Sequence, residues 1–246
     1  SKEVINPVRV EESLILNDLI NNKIMTSSSL KNTINTKYGY KLTDEVVDSC
    51  VQSLNFKFVL DNSNKDKQKI SANEAYGIST VTYKSGEFKL DKNFIKSLAN
   101  DTLKEFILDA TESSIKSFEN SFSIDRYIDG LSLYGKYSRK DVHRVLKWDQ
   151  NPISLNVGGY MIDPKTKTCP IFVTYHKEDD IAETTKYKDK FLSRYIFEWF
   201  SKSGRTLVST DVVAIINATN SLRLPLFIKK NNDEGKDFYY MGDLTP

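Results

Sequence analysis

Apolar side chains recur at helical spacing along the first half of the chain. Leucine and isoleucine residues between Val8 and Ile24 predict a first helix, with Glu11 and Glu12 in its first turn. The segment Thr26–Ser29 is typical of an N-cap and predicts a second helix that continues through Leu30 and Ile34. Thr43 to Glu45 opens a third, whose apolar stripe runs from Val46 to Leu54.

Two runs rich in aromatic and β-branched residues follow these helices. Phe56–Leu60 and Tyr76–Tyr83 are predicted strands, so three helices followed by two strands indicate a winged-helix-like layout. Such layouts often bind DNA through the third helix, but here that helix carries Asp44, Glu45 and Asp48. Because acidic residues repel phosphates, we expect this domain to pack against or couple other domains rather than present a recognition helix.

The pattern predicts two domains. Apolar residues spaced between Asp91 and Phe122 indicate one or two amphipathic helices that complete the first domain. We therefore place a mostly helical, winged-helix-like coupler domain at residues 1–123 and a second domain at residues 124–246. The chain begins without methionine and stops directly after a predicted strand, which suggests a fragment of a larger protein.

Short strands with two helices between them characterise the second domain. Ser138 predicts the N-cap of a short helix, with Asp141 completing an approximate capping box. A further strand is predicted at Tyr195–Ser201, and a helix begins at Ser209 or Thr210. Two hairpins are predicted as well: Asn156–Asp163 with Thr168–His176, and Leu222–Lys230 with Asp237–Leu244. The overall class is α+β, with a small open β-barrel as the second domain.

Composition narrows the classes of function. The 246 residues include 28% charged residues and a formal net charge of only +2, so any DNA-binding surface must be a local patch. Cys50 and Cys169 lack metal-ligand spacing and are typical of reduced core thiols. No apolar run reaches membrane-spanning length and no signal peptide is evident, so we expect a cytoplasmic protein without membrane contact.

Several catalytic motifs are missing from the sequence. It contains neither the Gly-x-x-x-x-Gly-Lys-Ser/Thr motif of nucleotide-binding motors nor the Gly-x-Ser-x-Gly elbow of serine hydrolases. His143 and His176, its two histidines, form no metal-ligand cluster. We expect no cofactor and no catalysis in this segment. A metal-dependent nuclease assembled from Asp149, Asp163 and Lys177 stays open as an alternative.

Basic residues near the Ser138 cap form a candidate phosphate site. Arg139 and Lys140 occupy the first helical turn, where the helix dipole disfavours cations, so an anion would explain them better than local stability does. The alternative is two solvated residues on a surface helix. The full set of predicted phosphate contacts is Arg139, Lys140, Lys177, Lys202 and Arg205.

Short motifs recurring in order carry a family resemblance. They are Tyr137–Asp141, Leu146–Asp149, Gly158–Tyr160, Pro170–Lys177, Thr185–Tyr187, Phe191 and Trp199. Together they resemble the C-terminal region of modification-dependent (type IV) restriction enzymes, in which a phospholipase-D-like nuclease and a helicase precede a coupler and a target-recognition domain. The resemblance implies a barrel of the PUA-like type found in SRA (SET- and RING-associated) domains, which reads 5-methylcytosine or 5-hydroxymethylcytosine in duplex DNA. It also implies that the full-length protein is an ATP-dependent endonuclease that uses ATP and Mg²⁺, with helicase and nuclease domains on the same polypeptide.

A reader of single modified bases must take the base out of the stack and hold it between aromatic faces. The candidate pocket residues combine aromatic rings, hydrogen-bonding groups and a glycine that lets backbone approach a ligand: Trp148, Asp149, Gly159, Tyr160, Tyr175, His176, Tyr187, Trp199 and Ser201. Asp149 or a backbone carbonyl could accept from the cytosine N4 amino group. Each aromatic could instead be a core residue, and a structural coupler of a helicase that binds no DNA stays a further alternative.

Overall fold

The computed structural model describes residues 4–60, 70–152, 159–175, 189–219 and 221–246. Contacts divide the chain into unit 1, Ser1–Gly130 with Lys147–Asn151, and unit 2, Leu131–Leu146 with Pro152–Pro246. The sequence placed the domain boundary after residue 123, whereas the contacts change after Gly130. Helices and small sheets together confirm the predicted α+β class.

Unit 1 is built mainly from helices around a three-stranded antiparallel sheet in the order β1-β3-β2. Its elements are α1 (Val10–Ile20), β1 (Met25–Thr26), α2 (Ser27–Tyr38), α3 (Asp44–Leu54), α4 (Ala72–Tyr76), β2 (Val81–Lys84), β3 (Glu87–Leu90), α5 (Lys92–Ser97), α6 (Asp101–Ser121), a 3₁₀ turn (Ile124–Arg126) and β4 (Tyr127–Ile128). The helices predicted from Thr26 and Thr43 are confirmed. Thr26 caps α2 by accepting a hydrogen bond from the Ser29 amide at 3.0 Å.

The first predicted strand, Phe56–Leu60, is wrong. After α3 the chain turns back, because the Phe56 amide donates to the Ser53 carbonyl at 2.9 Å and Phe56 takes a φ of +57°. Only Leu60 pairs, in a single bridge to Ser71. This helix-terminal turn overrides the β propensity of the aromatic residues that follow it.

The second predicted strand is half right. Tyr76 ends helix α4, Gly77 caps that helix in the left-handed region at φ +63°, and strand β2 begins only at Val81. The buried Asn55 side chain fixes this start. Its Oδ1 accepts from the Thr80 and Val81 amides at 2.9 and 3.0 Å, and its Nδ2 donates to the Val81 carbonyl at 2.8 Å.

A charged network is buried inside unit 1, at the start of α1. The Arg9 guanidinium is 5% exposed and donates to the carboxylate of Glu12, which is fully buried. It also donates to the hydroxyls of Ser49 and Ser53 on α3, at 3.0 and 3.1 Å. These bonds link α1 to α3 beside the apolar cluster of unit 1, so the ion pair is held in a low dielectric.

Unit 2 is organised around a four-stranded mixed sheet in the order β6-β11-β10-β7. Strand β10 runs antiparallel to β11 and parallel to β7, and β8 pairs separately with β9. The elements are β5 (Leu131–Ser132), β6 (Lys136–Tyr137), α7 (Arg139–Val145), β7 (Ile171–Thr174), β8 (Lys190–Phe191), β9 (Phe197–Glu198), α8 (Thr210–Ile216), β10 (Pro225–Lys229), a 3₁₀ turn (Asn232–Glu234) and β11 (Phe238–Asp243). The part of the chain that the structure describes contains no closed barrel.

Local signals predicted several elements of unit 2. Ser138 caps α7 through the Asp141 amide at 3.1 Å, and the β10–β11 hairpin is confirmed. The earlier hairpin is confirmed where it is described, by antiparallel bridges from Tyr160 to Ile171 and from Asp163 to Thr168. The strand expected at Tyr195–Ser201 shortens to the two residues of β9. The predicted helix is α8, with Ser209 at its N-cap position, although the Ser209 hydroxyl accepts the Thr206 amide rather than an amide of the helix.

The four-stranded sheet has two chemically different faces, because side chains alternate along each strand. The aliphatic face carries Ile171, Val173, Leu226 and Ile228, which pack against buried Cys169. The opposite, aromatic face has ring-to-ring contacts with centroids 5.2 to 6.1 Å apart. The rings on this aromatic face are Tyr137, Phe172, Phe227, Phe238 and Tyr240.

The helices of the described ranges give no sign of a membrane span. None of them combines the length and the apolar character that crossing a bilayer requires.

Candidate functional site

An aromatic pocket of about 290 Å³ opens in unit 2. It is lined by four aromatic rings together with aliphatic and charged side chains: Tyr134, Tyr175, Phe191, Tyr239, Ile228, Met241, Lys230 and Glu234. This volume lies at the lower end of the range for small-molecule sites, which suits a ligand of one or two rings. We call it the aromatic pocket.

Backbone geometry holds two of these tyrosines in place. Tyr134 adopts a left-handed φ of +65°, a conformation that costs about 1–3 kcal/mol for a residue other than glycine. The strain is offset by a hydrogen bond from the Tyr134 amide to the Tyr240 carbonyl at 2.8 Å, and by one from the Tyr240 amide to the Gly135 carbonyl at 2.9 Å. Tyr239 stands directly opposite Ile228 in the β10–β11 pairing. The sheet register therefore sets this wall of the pocket.

The third tyrosine comes from the opposite edge of the sheet, next to β7. Tyr175 follows β7, and its amide donates to the Lys229 carbonyl at 2.9 Å. Its ring centroid lies 6.1 Å from that of Phe191, on β8. The pocket is thus assembled from segments that are far apart in sequence.

Charged groups stand at the edge of the aromatic pocket. One carboxylate oxygen of Glu234 accepts the Lys230 amide at 2.9 Å, and the other oxygen accepts no hydrogen bond from any described residue. The Lys136 ammonium lies 5.3 Å from the centroid of the Tyr239 ring. An acceptor and one lysine therefore line an apolar hollow, and a second lysine contacts the Tyr239 ring of its wall.

A second cluster in unit 2 surrounds Tyr160, which is 2% exposed. The Tyr160 hydroxyl and the Arg205 Nε both donate to Oδ2 of Asp211, at 2.8 and 2.9 Å. The Lys202 ammonium lies 4.5 Å above the Tyr160 ring, and Trp199 meets that ring edge to face at 5.1 Å. We call these five residues the Tyr160 cluster.

Electrostatics in the Tyr160 cluster fix its protonation states. Burial raises the pKa of Tyr160 to about 12, and the hydrogen bond to Asp211 adds to the shift. Burial alone would raise the pKa of Asp211, but the hydrogen bonds from Tyr160 and Arg205 outweigh it and hold that pKa below its usual range. At neutral pH the cluster therefore contains a neutral phenol and an ionised carboxylate.

We expect Tyr160→Phe to lower the free energy of unfolding by about 1–2 kcal/mol at pH 7, because it removes a hydrogen bond to a charged acceptor. The pKa of Asp211 is lower in the folded protein than in the unfolded chain. Its contribution to the free energy of unfolding is therefore present above the unfolded pKa and is lost as pH falls through the folded pKa. Urea denaturation of both proteins from pH 7 to pH 2.5 should show the difference shrinking in acid. The control is Tyr195→Phe, whose side chain is 81% exposed. A loss that is independent of pH would contradict the assignment.

The predicted phosphate-contacting residues separate into two places. Lys202 and Arg205 belong to the Tyr160 cluster, where Arg205 is already paired with Asp211 at 2.9 Å. Arg139 and Lys140 begin α7 and are half-buried, with Arg139 over the aromatic face of the sheet. Lys177 lies outside the described residues.

The predicted pocket residues are also distributed over several places. Tyr175 lines the aromatic pocket, and Tyr160 and Trp199 form the second cluster, with half-buried Ser201 two positions after Trp199. Gly159 takes a φ of +94°, and its carbonyl accepts the Phe172 amide at 2.7 Å. Two further predicted residues, Trp148 and Asp149, belong to unit 1, where the nearby Asn151 amide donates to the Phe58 carbonyl at 2.9 Å. His176 and Tyr187 fall outside the described ranges.

Sequence reasoning missed several residues of these sites. Tyr134, Tyr239 and Glu234 line the aromatic pocket, and Asp211 joins the Tyr160 cluster. Tyr239 gave one usable signal, since it alternates with the apolar residues of a predicted strand. Glu234 lies in the connection of a predicted hairpin and Asp211 at the start of a predicted helix, so neither position indicates a binding role. Their roles depend on tertiary contacts.

No group of three potential ligands among histidine, cysteine, aspartate and glutamate is placed to hold a metal ion in the described part of the chain. Of the residues considered for a nuclease, Asp149 belongs to unit 1 and Asp163 to unit 2. Asp163 closes a turn, accepting from the amide and the hydroxyl of Thr166 at 2.9 and 2.7 Å.

Comparisons with known proteins divide the chain at nearly the same place as its contacts do. Residues 131–246 match the family model described as Domain of unknown function (DUF3427), and residues 1–121 match the one described as Domain of unknown function (DUF8090). The first of these domains is common in helicase-associated proteins. The search of curated proteins found no match to the chain.

Proposed function

We propose that this chain is the DNA target-recognition part of a modification-dependent restriction enzyme. Unit 2 binds duplex DNA and receives an extruded 5-methylcytosine or 5-hydroxymethylcytosine in the aromatic pocket. The observation that carries the proposal is a pocket of about 290 Å³ walled by three tyrosines and a phenylalanine, with a carboxylate at its edge. The match of residues 131–246 to a domain common in helicase-associated proteins supports the same function.

The chemistry of the pocket suits an aminopyrimidine. Tyrosine rings offer flat faces on which any base can stack, and each such contact contributes about 1–3 kcal/mol. The carboxylate oxygen of Glu234 that accepts no hydrogen bond can take one from the cytosine N4 amino group. We assign this acceptor role to Glu234 in place of the predicted Asp149 or a backbone carbonyl, because Glu234 lines the pocket and Asp149 belongs to unit 1.

Charge around the pocket supplies the contacts to the DNA backbone. Lys230 lines the pocket, and Lys136 contacts the Tyr239 ring of its wall. Arg194 stands in the β8–β9 turn with its guanidinium 4.7 Å from the exposed Tyr195 ring. A methyl group in an apolar site contributes only about 1–3 kcal/mol, so phosphate contacts must provide most of the affinity. The modification therefore determines which base is bound selectively, and the cations provide most of the affinity for the duplex.

Unit 1 has the role of a coupler in this proposal. Its element order, α1-β1-α2-α3-β2-β3 apart from short α4, follows a winged-helix layout, and α3 exposes Asp44, Glu45 and Asp48. An acidic α3 would repel phosphates, which favours contact with protein domains over contact with DNA. In the full-length enzyme, DNA binding would license helicase and nuclease domains that use ATP and Mg²⁺. The segment itself would perform no catalysis, and unit 2 would be a variant of the PUA/SRA-like fold.

Duplexes that differ only at one cytosine C5 test the proposal. We expect fluorescence anisotropy to show binding about 10- to 200-fold tighter for the methylated duplex than for the unmodified one, because the methyl group enters an apolar site. Affinity for both duplexes should fall steeply with salt. A 2-aminopurine beside the modified base should brighten as the stack opens. Equal affinities across the set would remove the reader function, and cleavage of the duplex with added Mg²⁺ would favour the nuclease alternative.

A further inference from the structure

Two cationic side chains contact the Phe238 ring on the aromatic face of the four-stranded sheet. The guanidinium carbon of Arg139 lies 4.9 Å from the centroid of Phe172 and 5.2 Å from that of Phe238. The Lys229 ammonium lies 5.1 Å from the same Phe238 centroid. Arg139 begins α7 and Lys229 ends β10, so the fold brings them together from distant parts of unit 2.

Neither cation has a carboxylate partner in the described ranges. The Lys229 side chain is 9% exposed, and its ammonium donates one hydrogen bond, to the Gly235 carbonyl at 3.3 Å. No carboxylate oxygen of a described residue lies within 4.0 Å of either charge. Of the nearby acids, Asp141 accepts from Ser138 and pairs with Arg144. Glu234 accepts the Lys230 amide through one oxygen and attracts Lys229 from beyond ion-pair distance.

The other basic groups of this region leave its net charge positive. His143 is 1% exposed, and burial together with the charge of Arg139 lowers its pKa to about 3, so its imidazole is neutral. Lys140 is half-buried beside Arg139, and burial lowers its pKa. Burial also lowers the pKa of Lys229, with a further contribution from Arg139, whereas the charge of Glu234 opposes the shift. The region therefore carries an excess of positive charge at neutral pH.

Holding Arg139 and Lys229 close together lowers the stability of the fold unless an anion binds to both. Each cation over an aromatic face gains about 0.5–2 kcal/mol, but two like charges held together out of bulk water repel and lose hydration. A tetrahedral oxyanion can offer oxygens to both groups at once. Guanidinium matches two such oxygens with paired N–H donors, and ammonium adds a point charge.

We propose that Arg139 and Lys229 form a phosphate-binding site on the aromatic face of the sheet. The site goes beyond the proposed base pocket, because Tyr239 and Ile228 of that pocket lie on the opposite face from Phe238 and Lys229. Its ligand is a phosphate group, either a free monoester or inorganic phosphate, or a phosphodiester of nucleic acid. The two sources share the chemistry and differ in charge and in accessible oxygens.

Calorimetric titration of the whole 246-residue chain with inorganic phosphate, at ionic strength matched with chloride, tests the site. We expect saturable binding and a rise in melting temperature in phosphate that chloride does not give. Lys229→Met and Arg139→Met keep the stem over Phe238 and remove the charge, and each should weaken phosphate binding at least tenfold. In chloride these variants should melt at or above the wild-type temperature, because the repulsion is gone. A residue with only a structural role would instead lower it.

The matched control is Lys236→Met, an exposed lysine of the same hairpin that should leave phosphate binding unchanged. A parallel titration with dimethyl phosphate separates the sources, since binding of the diester as well as inorganic phosphate indicates nucleic acid and binding of inorganic phosphate alone indicates a small ligand. Absence of a phosphate-specific effect in the wild type would overturn the site, as would full retention of binding in both variants. Failure of the C5 comparison alone would remove the base reader and leave this site standing.

Discussion

Arg9→Met is expected to lower the free energy of unfolding of unit 1 by about 3–5 kcal/mol at neutral pH, since removing one partner of a buried ion pair strands the other charge. The Glu12 carboxylate is fully buried and accepts from Arg9, and Glu11 beside it is 2% exposed. A loss of this size is a third or more of the stability of many domains. Hydrogen exchange of the α1 and α3 amides under increasing urea would measure it, because Arg9 bonds to both elements.

The loss should also depend on pH. Burial raises the pKa of Glu11, with a further contribution from Glu12, whereas Arg9 opposes the shift. Without Arg9 the folded pKa rises further. A carboxylate with a raised folded pKa contributes most below its unfolded pKa, and that contribution is lost as pH rises through the folded pKa. The penalty of Arg9→Met is therefore expected to be smaller near pH 4 than at pH 7.

A double replacement provides the control. Arg9→Met with Glu12→Leu removes both charges and keeps apolar volume, so it should recover most of the stability lost in the single variant. Lys23→Met breaks the exposed pair with Asp18 and should cost less than about 1 kcal/mol. If the single Arg9 variant lost no more than the Lys23 variant, the buried network would not be a stabilising link between α1 and α3.

Local chemistry explains which elements the sequence could predict. The caps at Thr26 and Ser138 depend on residues three positions apart, and the β10–β11 hairpin depends on alternation around one turn. Phe56–Leu60 failed because a helix-terminal hydrogen bond and a positive φ at Phe56 overrode side-chain propensity. Elements whose signals lie within a few residues could be predicted from the sequence. Elements that depend on contacts with neighbouring structure could not.

Some residues of the candidate sites could likewise be predicted from the sequence, and others could not. Tyr160, Trp199, Lys202 and Arg205 were selected as binding residues, and the fold does bring these four together. Their partner Asp211 was missed, because nothing in a helix start indicates what its carboxylate will meet. The aromatic pocket needed the β7, β10 and β11 register, which only the folded chain supplies.

Tyr239→Ala is expected to weaken binding of a methylated duplex by about 5- to 150-fold, the equivalent of about 1–3 kcal/mol for one stacked base. Binding of an unmodified duplex rests mainly on phosphate contacts, so it should change far less, and the preference for methylated DNA should shrink accordingly. Anisotropy titrations with the two duplexes at one fixed salt concentration would measure both effects. Tyr76→Ala, an exposed tyrosine of unit 1, is the matched control.

Glu234→Gln extends the same test to the hydrogen bond. The amide keeps the shape of the side chain and one carbonyl acceptor but loses the charge, and bonds to charged acceptors are stronger by about 1 kcal/mol, so we expect a further loss of roughly fivefold for methylated DNA. Tyr239 and Glu234 contact the same base in the proposal, so their effects should not be additive in the double variant. Additive losses, or a preference for methylated DNA that survives both replacements, would move base recognition away from the aromatic pocket.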